Sequence, residues 1–239
     1  MSELTLSRNA FDFLLRISRT PLMEVAGSVL FEHFRNVASE VIAGKWFVRG
    51  KCTSYCEPFS GRFYDLEWDE EQRLFKYFDG YDWIMVPVSH AQNFTVALDE
   101  FLSYVKYLLN IDQRDRTESL VDDVLWHLGQ ARINNSRVNF YFLRRSLEPE
   151  IQFHCCSKIL QESHRTPSVI ITDSRLEKCN FPLPKGFATV CISDLLSRKT
   201  DICALDFSAL NAVLGMENKD TGCVLRFSDD YRIVYWNGR

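Results

Sequence analysis

The spacing of apolar residues changes several times along this chain, and each change predicts an element. Residues 7–18, SRNAFDFLLRIS, are compatible with a short helix. Thr20 and Pro21 then supply a capping residue followed by proline at the first helical position, which predicts a second helix starting there. Leu22, Val25, Val29, Leu30, Phe34, Val37 and Val41 recur at steps of three and four, so one face of this helix runs to about Ala43, where Gly44 is placed to end it. From Arg62 the period becomes two. Arg62, Tyr64, Leu66 and Trp68 fall on one side, and Phe63, Asp65, Glu67 and Asp69 on the other. Residues 69–73 read as a turn, 74–78 as a return strand, Asp79 and Gly80 as a hairpin turn, and 81–88 as a third strand ending near Pro87. Together these predict a β-meander. Phe94, Leu98, Phe101, Leu102, Val105 and Leu109 then form one stripe of a helix over 94–109.

The stretch 110–119, NIDQRDRTES, is the most polar in the chain and reads as a linker. It predicts a helical and meander domain over 1–112 and a second domain over 120–239. In the second, Val124 to Ile133 and Arg137 to Leu143 flank the turn signal Asn134-Asn135, which predicts a hairpin. Pro149 opens a helix with Ile151, Cys155, Cys156, Ile159 and Leu160 on one face, and 168–172, SVIIT, is a fully apolar strand. Strand, helix and strand in that order predict a βαβ unit with a right-handed crossover. Residues 187–192 add another strand, with Ser193 or Asp194 capping a brief helix. The expected fold class is therefore α+β with an α/β second half, and no internal repeat appears.

Composition adds limits to this picture. The 239 residues include 18 Phe, 9 Tyr and 5 Trp, enough apolar mass for a sizeable core. With 28 basic and 32 acidic residues the net charge is -4, so any attraction to nucleic acid or acidic lipid has to come from a local patch. The first residues, MSELTLSRNAFDFLLRIS, have an acid at position 3 and lack the basic and apolar regions of a secretory signal. The helical candidate over 22–43 carries Glu24, Glu32, His33, Arg35 and Glu40, too much charge for a membrane span. A soluble cytoplasmic protein without membrane association is expected, its eight cysteines reduced.

The order helix, antiparallel strands, helix, parallel strand is that of the restriction-endonuclease-like core, which makes nuclease chemistry the first to test. Such a site needs an Asp on one strand and an acidic-x-Lys signature on the next, so that carboxylates hold Mg²⁺ while Lys steadies the attacking water. Asp122 and Asp123 supply the first part, but the next strand reads Arg137-Val138-Asn139-Phe140-Tyr141-Phe142. An inactive core of this type is expected. Cys52 and Cys56 have the spacing of half a zinc site, with His154, Cys155 and Cys156 as a distant second half. Adjacent cysteines on a helix diverge, however, and core packing is the preferred reading of Cys155 and Cys156. Asp65, Glu67 and Asp69 alternate onto one strand face, an arrangement that fits cation binding but is also the ordinary acidic edge of a sheet. Gly-rich phosphate loops, the Gly-x-Ser-x-Gly elbow and His-Glu-x-x-His are missing. No catalytic residue, metal or cofactor is therefore assigned.

Two binding candidates remain. Arg132, Arg137, Arg144 and Arg145 surround the second hairpin together with Tyr141, and basic residues interleaved with aromatics can pair with phosphates and stack bases. Tyr55, Phe59, Tyr81 and Trp83 fall in or beside loops and would suit a protein interface. Finally, the residues from Cys223 to Gly238, CVLRFSDDYRIVYWNG, read as strand, turn and strand. This segment resembles the small β-platform that precedes the winged helix in OmpR-like bacterial response regulators. The resemblance covers about sixteen residues and stops before any recognition helix. It implies either the regulatory portion of a DNA-binding protein or a relative that keeps only an interaction role. The expectation is a non-catalytic bacterial or phage regulator that acts by binding a protein partner or a second copy of itself. A nucleic-acid-binding transcriptional regulator is the alternative, and an enzyme with a site assembled from distant residues is the third reading.

Overall fold

The computed structural model describes residues 5–51, 54–133, 136–161, 166–176, 186–197 and 200–214, together with the strand backbones at 225–227 and 234–236. The chain is a mixed α+β protein with several sheets and short helices. None of the helices is long and apolar enough to cross a membrane, among the described residues.

Helix α1 (Arg8–Ser18) forms as its sequence predicts, capped by Ser7, whose hydroxyl accepts from the Ala10 amide. The single helix expected over 22–43 is instead three elements: β1 (Glu24–Ala26), α2 (Gly27–His33) and α3 (Arg35–Ala43). Thr20 does not cap a helix, because its hydroxyl donates back to the Ile17 carbonyl and Met23 takes a left-handed φ of 54°. The end of α3 is as expected, with the Gly44 amide donating to the Glu40 carbonyl. After β2 (Phe47–Arg49) come β3 (Ser54–Cys56), β4 (Phe63–Asp65), β5 (Glu67–Asp69), β6 (Leu74–Phe78), β7 (Trp83–Val86) and α4 (Val88–Ala91). The meander is thus real but divided at Leu66. Its first part, β3 with β4, is a separate two-stranded ribbon, while β5, β6 and β7 form an antiparallel sheet.

The helix expected to begin at Phe94 begins later. Phe94 lies in β8 (Asn93–Val96), the central strand of a three-stranded sheet in which Val25 and Arg49 are its Cα partners on β1 and β2. Helix α5 (Leu98–Leu108) follows. The second half is built on β9 (Glu118–Val121), β10 (Leu125–Ile133), β11 (Ser136–Leu143), α6 (Pro149–Gln161), β12 (Ser168–Thr172), β13 (Phe187–Cys191), α7 (Ile192–Leu195) and α8 (Phe207–Val213). Five strands form one sheet in the order β13-β12-β11-β10-β9, antiparallel from β9 to β11 and parallel from β11 to β13. The strand-helix-strand unit is therefore present. Helix α7 starts at Ile192, ahead of Ser193 and Asp194, and has no side-chain cap. The last strands, β14 (Leu225–Phe227) and β15 (Val234–Trp236), pair antiparallel, while the turn between them lies outside the described residues.

Alternation along β11 explains the layering. Val138, Phe140 and Phe142 face a cluster that includes Phe11 of α1 and Phe101 of α5, with the Phe101 and Phe142 rings 5.8 Å apart edge to face. Tyr141 and Leu143 face the opposite side, where Cys155 and Ile159 of α6 cover them. Each fully buried Phe contributes on the order of 2–3 kcal/mol. The first cluster joins residues from both sides of the polar 110–119 stretch, so the helices before it and the sheet after it share one core.

Candidate functional site

The sheet β5-β6-β7 has two unlike faces, set by its register. Trp68, Phe75, Tyr77, Ile84 and Val86 share one face, and Tyr77 and Val86 are buried there. Tyr77 lies between Tyr55, stacked at 5.0 Å, and Tyr64 at 4.4 Å. Burial, followed by the neighbouring Tyr77 and Glu57, pushes the Tyr55 phenol up to about 12. The other face carries Leu74, Lys76, Phe78, Trp83 and Met85, of which Phe78, Trp83 and Met85 are exposed. Phe78 is 50% exposed and Trp83 45%, their rings 5.6 Å apart. The Lys76 ammonium sits 5.2 Å from the centre of the Trp83 ring and 3.2 Å from Asp69.

Strand β7 is the outer strand of this sheet, pairing with β6 on one side only among the described residues. Its sequence, Trp-Ile-Met-Val, is uncharged, and Trp83, Ile84 and Met85 are all exposed. Such an edge lacks the charges and bulges by which sheet edges are usually protected. At its start the turn is fixed by Asp79, which accepts from the Tyr81 and Asp82 amides at 2.8 Å and whose carboxyl these bonds hold below its ordinary range. Tyr81 projects from this turn with 95% of its surface exposed. Eight acidic residues against three basic ones lie between 57 and 82, a larger negative excess than the net -4 of the whole chain.

Of the four aromatics expected at an interface, Tyr81 and Trp83 lie together on this hairpin. Phe59 is 80% exposed in the loop after β3, edge-on to His33 at 5.6 Å. Tyr55 packs in the meander core. Phe78 and Met85 belong to the exposed face but are not apparent from sequence, because apolar residues alternate onto both faces of β6 and β7. The period of two therefore does not reveal which face is covered.

The arginines do not converge. Arg132 and Arg137 are direct cross-strand partners next to the connection between β10 and β11, both exposed. Arg144 and Arg145 follow the other end of β11, about 23 Å along the strand at roughly 3.3 Å per residue. Arg144 is only 1% exposed, and Arg145 makes a bidentate ion pair with Glu148. Tyr141 is buried between α6 and β13, 5.9 Å from Phe187.

The acids and thiols also separate. Asp65 lies on β4 and Glu67 and Asp69 on β5, so the break at Leu66 divides them between two sheets. Bonds from the Gln72 amide and from Lys76 hold the Asp69 carboxyl below its ordinary range. His154 is exposed while Cys155 and Cys156 are buried, and Cys52 lies outside the described residues. Burial pushes the Cys155 thiol up to about 12, away from the thiolate needed of a ligand or nucleophile. No group of three potential metal ligands occurs among the described residues.

The carboxyl ends of the parallel strands carry a polar cluster that the sequence does not announce. Asp173, fully buried, accepts from the Arg145 amide at 2.6 Å, the Ser146 amide at 3.1 Å and the Ser146 hydroxyl at 2.6 Å. The Asp173 carbonyl accepts from both Nε and Nη2 of Arg19. Gln152 of α6 donates to the Ser146 carbonyl at 2.6 Å. These bonds tie α1, β11, α6 and β12 at one point. The cluster is therefore a brace between elements, in which the buried carboxylate is matched by two backbone amides and a hydroxyl.

Compared with protein-family models, with curated proteins and with solved structures, the chain matches none at a significant level.

Proposed function

We propose that this chain is a regulatory protein that works by binding another protein, and that the β6-β7 hairpin is its docking element. The observation that supports this most directly is the uncharged, exposed β7 edge with Trp83 and Met85 beside it. An open edge offers backbone donors and acceptors to an extended segment, and alternate side chains of that segment then meet the flanking apolar face. The acidic excess around the hairpin favours a basic partner, so the expected occupant is an extended segment of alternating apolar and Lys or Arg residues. The finer likeness of the second half to an inactive restriction-endonuclease-like core belongs to the same proposal. Helix α5, strands β9 to β11, helix α6 and β12 follow in the expected order, and β11 carries Asn139 and Tyr141 but no acid or Lys.

The test is binding of the purified chain to synthetic twelve-residue peptides of alternating apolar and basic, or alternating apolar and acidic, composition. The basic set should bind, should weaken with added salt, and should lose about tenfold in affinity with Met85→Lys. Equal binding of both sets, or an unchanged affinity in the variant, overturns the assignment. The nucleic-acid alternative keeps one supporting observation, the like-charged Arg132 and Arg137 placed opposite each other. Binding of single-stranded DNA that disappears in Arg132→Ala, with peptides inert, would favour that alternative.

A further inference from the structure

Apart from the hairpin, the structure has a cleft of about 510 Å³ between α2, α3, β2, α4 and β8. That volume is within the usual range for small-molecule sites, roughly 300–1,000 Å³. Much of its lining is apolar. Phe31 comes from α2, Ile42 and Ala43 from α3, and Phe94 from the central strand β8. The cleft is held open by packing that tolerates little adjustment. The Gly27 amide donates to the Gln92 carbonyl at 2.7 Å, and a Cβ on Gly27 would lie 2.1 Å from the Ser89 carbonyl oxygen. Phe31 is stacked on His90 at 5.2 Å and meets Phe94 edge-on at 6.0 Å, which fixes the ring that forms one wall.

The polar groups at the rim are few and unmatched. Arg49 is the lining residue with a charge, no carboxylate lines the cleft, and the Arg49 guanidinium makes no ion pair or hydrogen bond among the described residues. The hydroxyls of Ser39 and Ser89 likewise have no partner among the described residues. An exposed arginine ordinarily proves little, because water satisfies it. Here it lines a largely apolar cleft together with two serines, an arrangement complementary to one anionic head on a compact apolar body.

We infer that this cleft binds a small organic monocarboxylate, its carboxylate on Arg49 and its aromatic or branched body against Phe31, Ile42 and Phe94. A single guanidinium neutralises one negative charge, so a monoanion fits better than a phosphate dianion, which would leave charge uncompensated. The inference does not depend on the hairpin reading. The two features use different residues, although α4 connects them in the chain.

The test is titration calorimetry with 4-phenylbutyrate, 4-phenylbutanol, 4-phenylbutylamine and phenyl phosphate. The carboxylate should bind, the alcohol about tenfold more weakly, and the amine not measurably. Arg49→Gln, at an exposed position, should retain the circular dichroism of the parent, lose about tenfold for the carboxylate and leave the alcohol unchanged. Ala43→Leu, which narrows the cleft, should weaken carboxylate and alcohol together. Equal affinity for carboxylate and alcohol, tighter binding of phenyl phosphate, insensitivity to Arg49→Gln, or no binding by any of the four probes overturns the inference.

Discussion

Replacing Arg144 with methionine should make this protein more stable. Arg144 is 1% exposed, and its Nη2 donates to the Pro21 carbonyl at 3.1 Å. Its Nε and Nη1 are buried without a hydrogen-bond partner among the described residues. Burial, and secondarily the adjacent Arg145 charge, lowers its pKa, while Asp123, Asp173 and Glu148 pull the other way. Each orphaned donor costs about 1–3 kcal/mol, so two cost about 2–6 kcal/mol, against about 1.5–3 kcal/mol for the one charged bond that is lost. Methionine fills a similar volume, removes both orphans and keeps the backbone bond from the residue 144 amide to the Val124 carbonyl. The expected net gain is about 2 kcal/mol, within the range seen when buried ionic groups give way to apolar ones. Urea unfolding followed by far-ultraviolet circular dichroism reads it as a higher midpoint at an unchanged slope. A methionine variant less stable than the parent by more than about 1 kcal/mol would refute the reasoning. It would mean that the guanidinium is satisfied and is a net contributor to the fold.

The opposite result is expected at Asp173, where alanine leaves the Arg145 and Ser146 amides unmatched and should cost about 2–5 kcal/mol. A urea midpoint shift equivalent to less than about 0.5 kcal/mol would show that the brace is dispensable. Stability should also fall in alkali. Burial raises the Cys155 and Cys203 thiols from 9.0 to about 12 and the Tyr55 phenol from 10.0 to about 12, so the folded state favours their protonated forms. That contribution is fully present below about pH 9 and is lost as pH rises toward 12, so urea midpoints should decline steadily from pH 9 to 11. Midpoints that stay flat across that interval would contradict the assignment.

The second half was more legible in sequence than the first, for a physical reason. Residues 168–172 are a continuous apolar and β-branched run, and the two strands around Asn134-Asn135 have nine and eight residues, long enough for their pattern to show, so local pattern and final position agree. In the first half the strands have three to five residues, too short to establish a period. Val25 fits a helical stripe as well as its actual place opposite Phe94. Pairing with a residue far along the chain decided between them, and the positive φ at Met23 shows where the helical reading failed. Similarly, Phe94 at a four-residue step from Leu98 looks helical until β1 and β2 claim it from either side. The polar cluster at Asp173 had no sequence signal, since its members come from α1, the β11-α6 connection, α6 itself and the end of β12. The cleft over Arg49 was equally hidden, because it joins five elements.

The core shared by α1, α5 and the large sheet also governs how the chain emerges during synthesis. Phe11 and Phe101 are made before Phe140, Phe142 and Ile171, the sheet residues that cover them. Between residue 112 and the end of β12 lie about sixty residues, which at roughly 5–20 residues per second take about 3–12 seconds to make. For that interval the amino-terminal helices present an uncovered aromatic face. An uncovered aromatic face of this kind is prone to aggregation, and β12 only begins to close it, since Val190, Ile192, Leu195 and Leu210 of the same core are made later still.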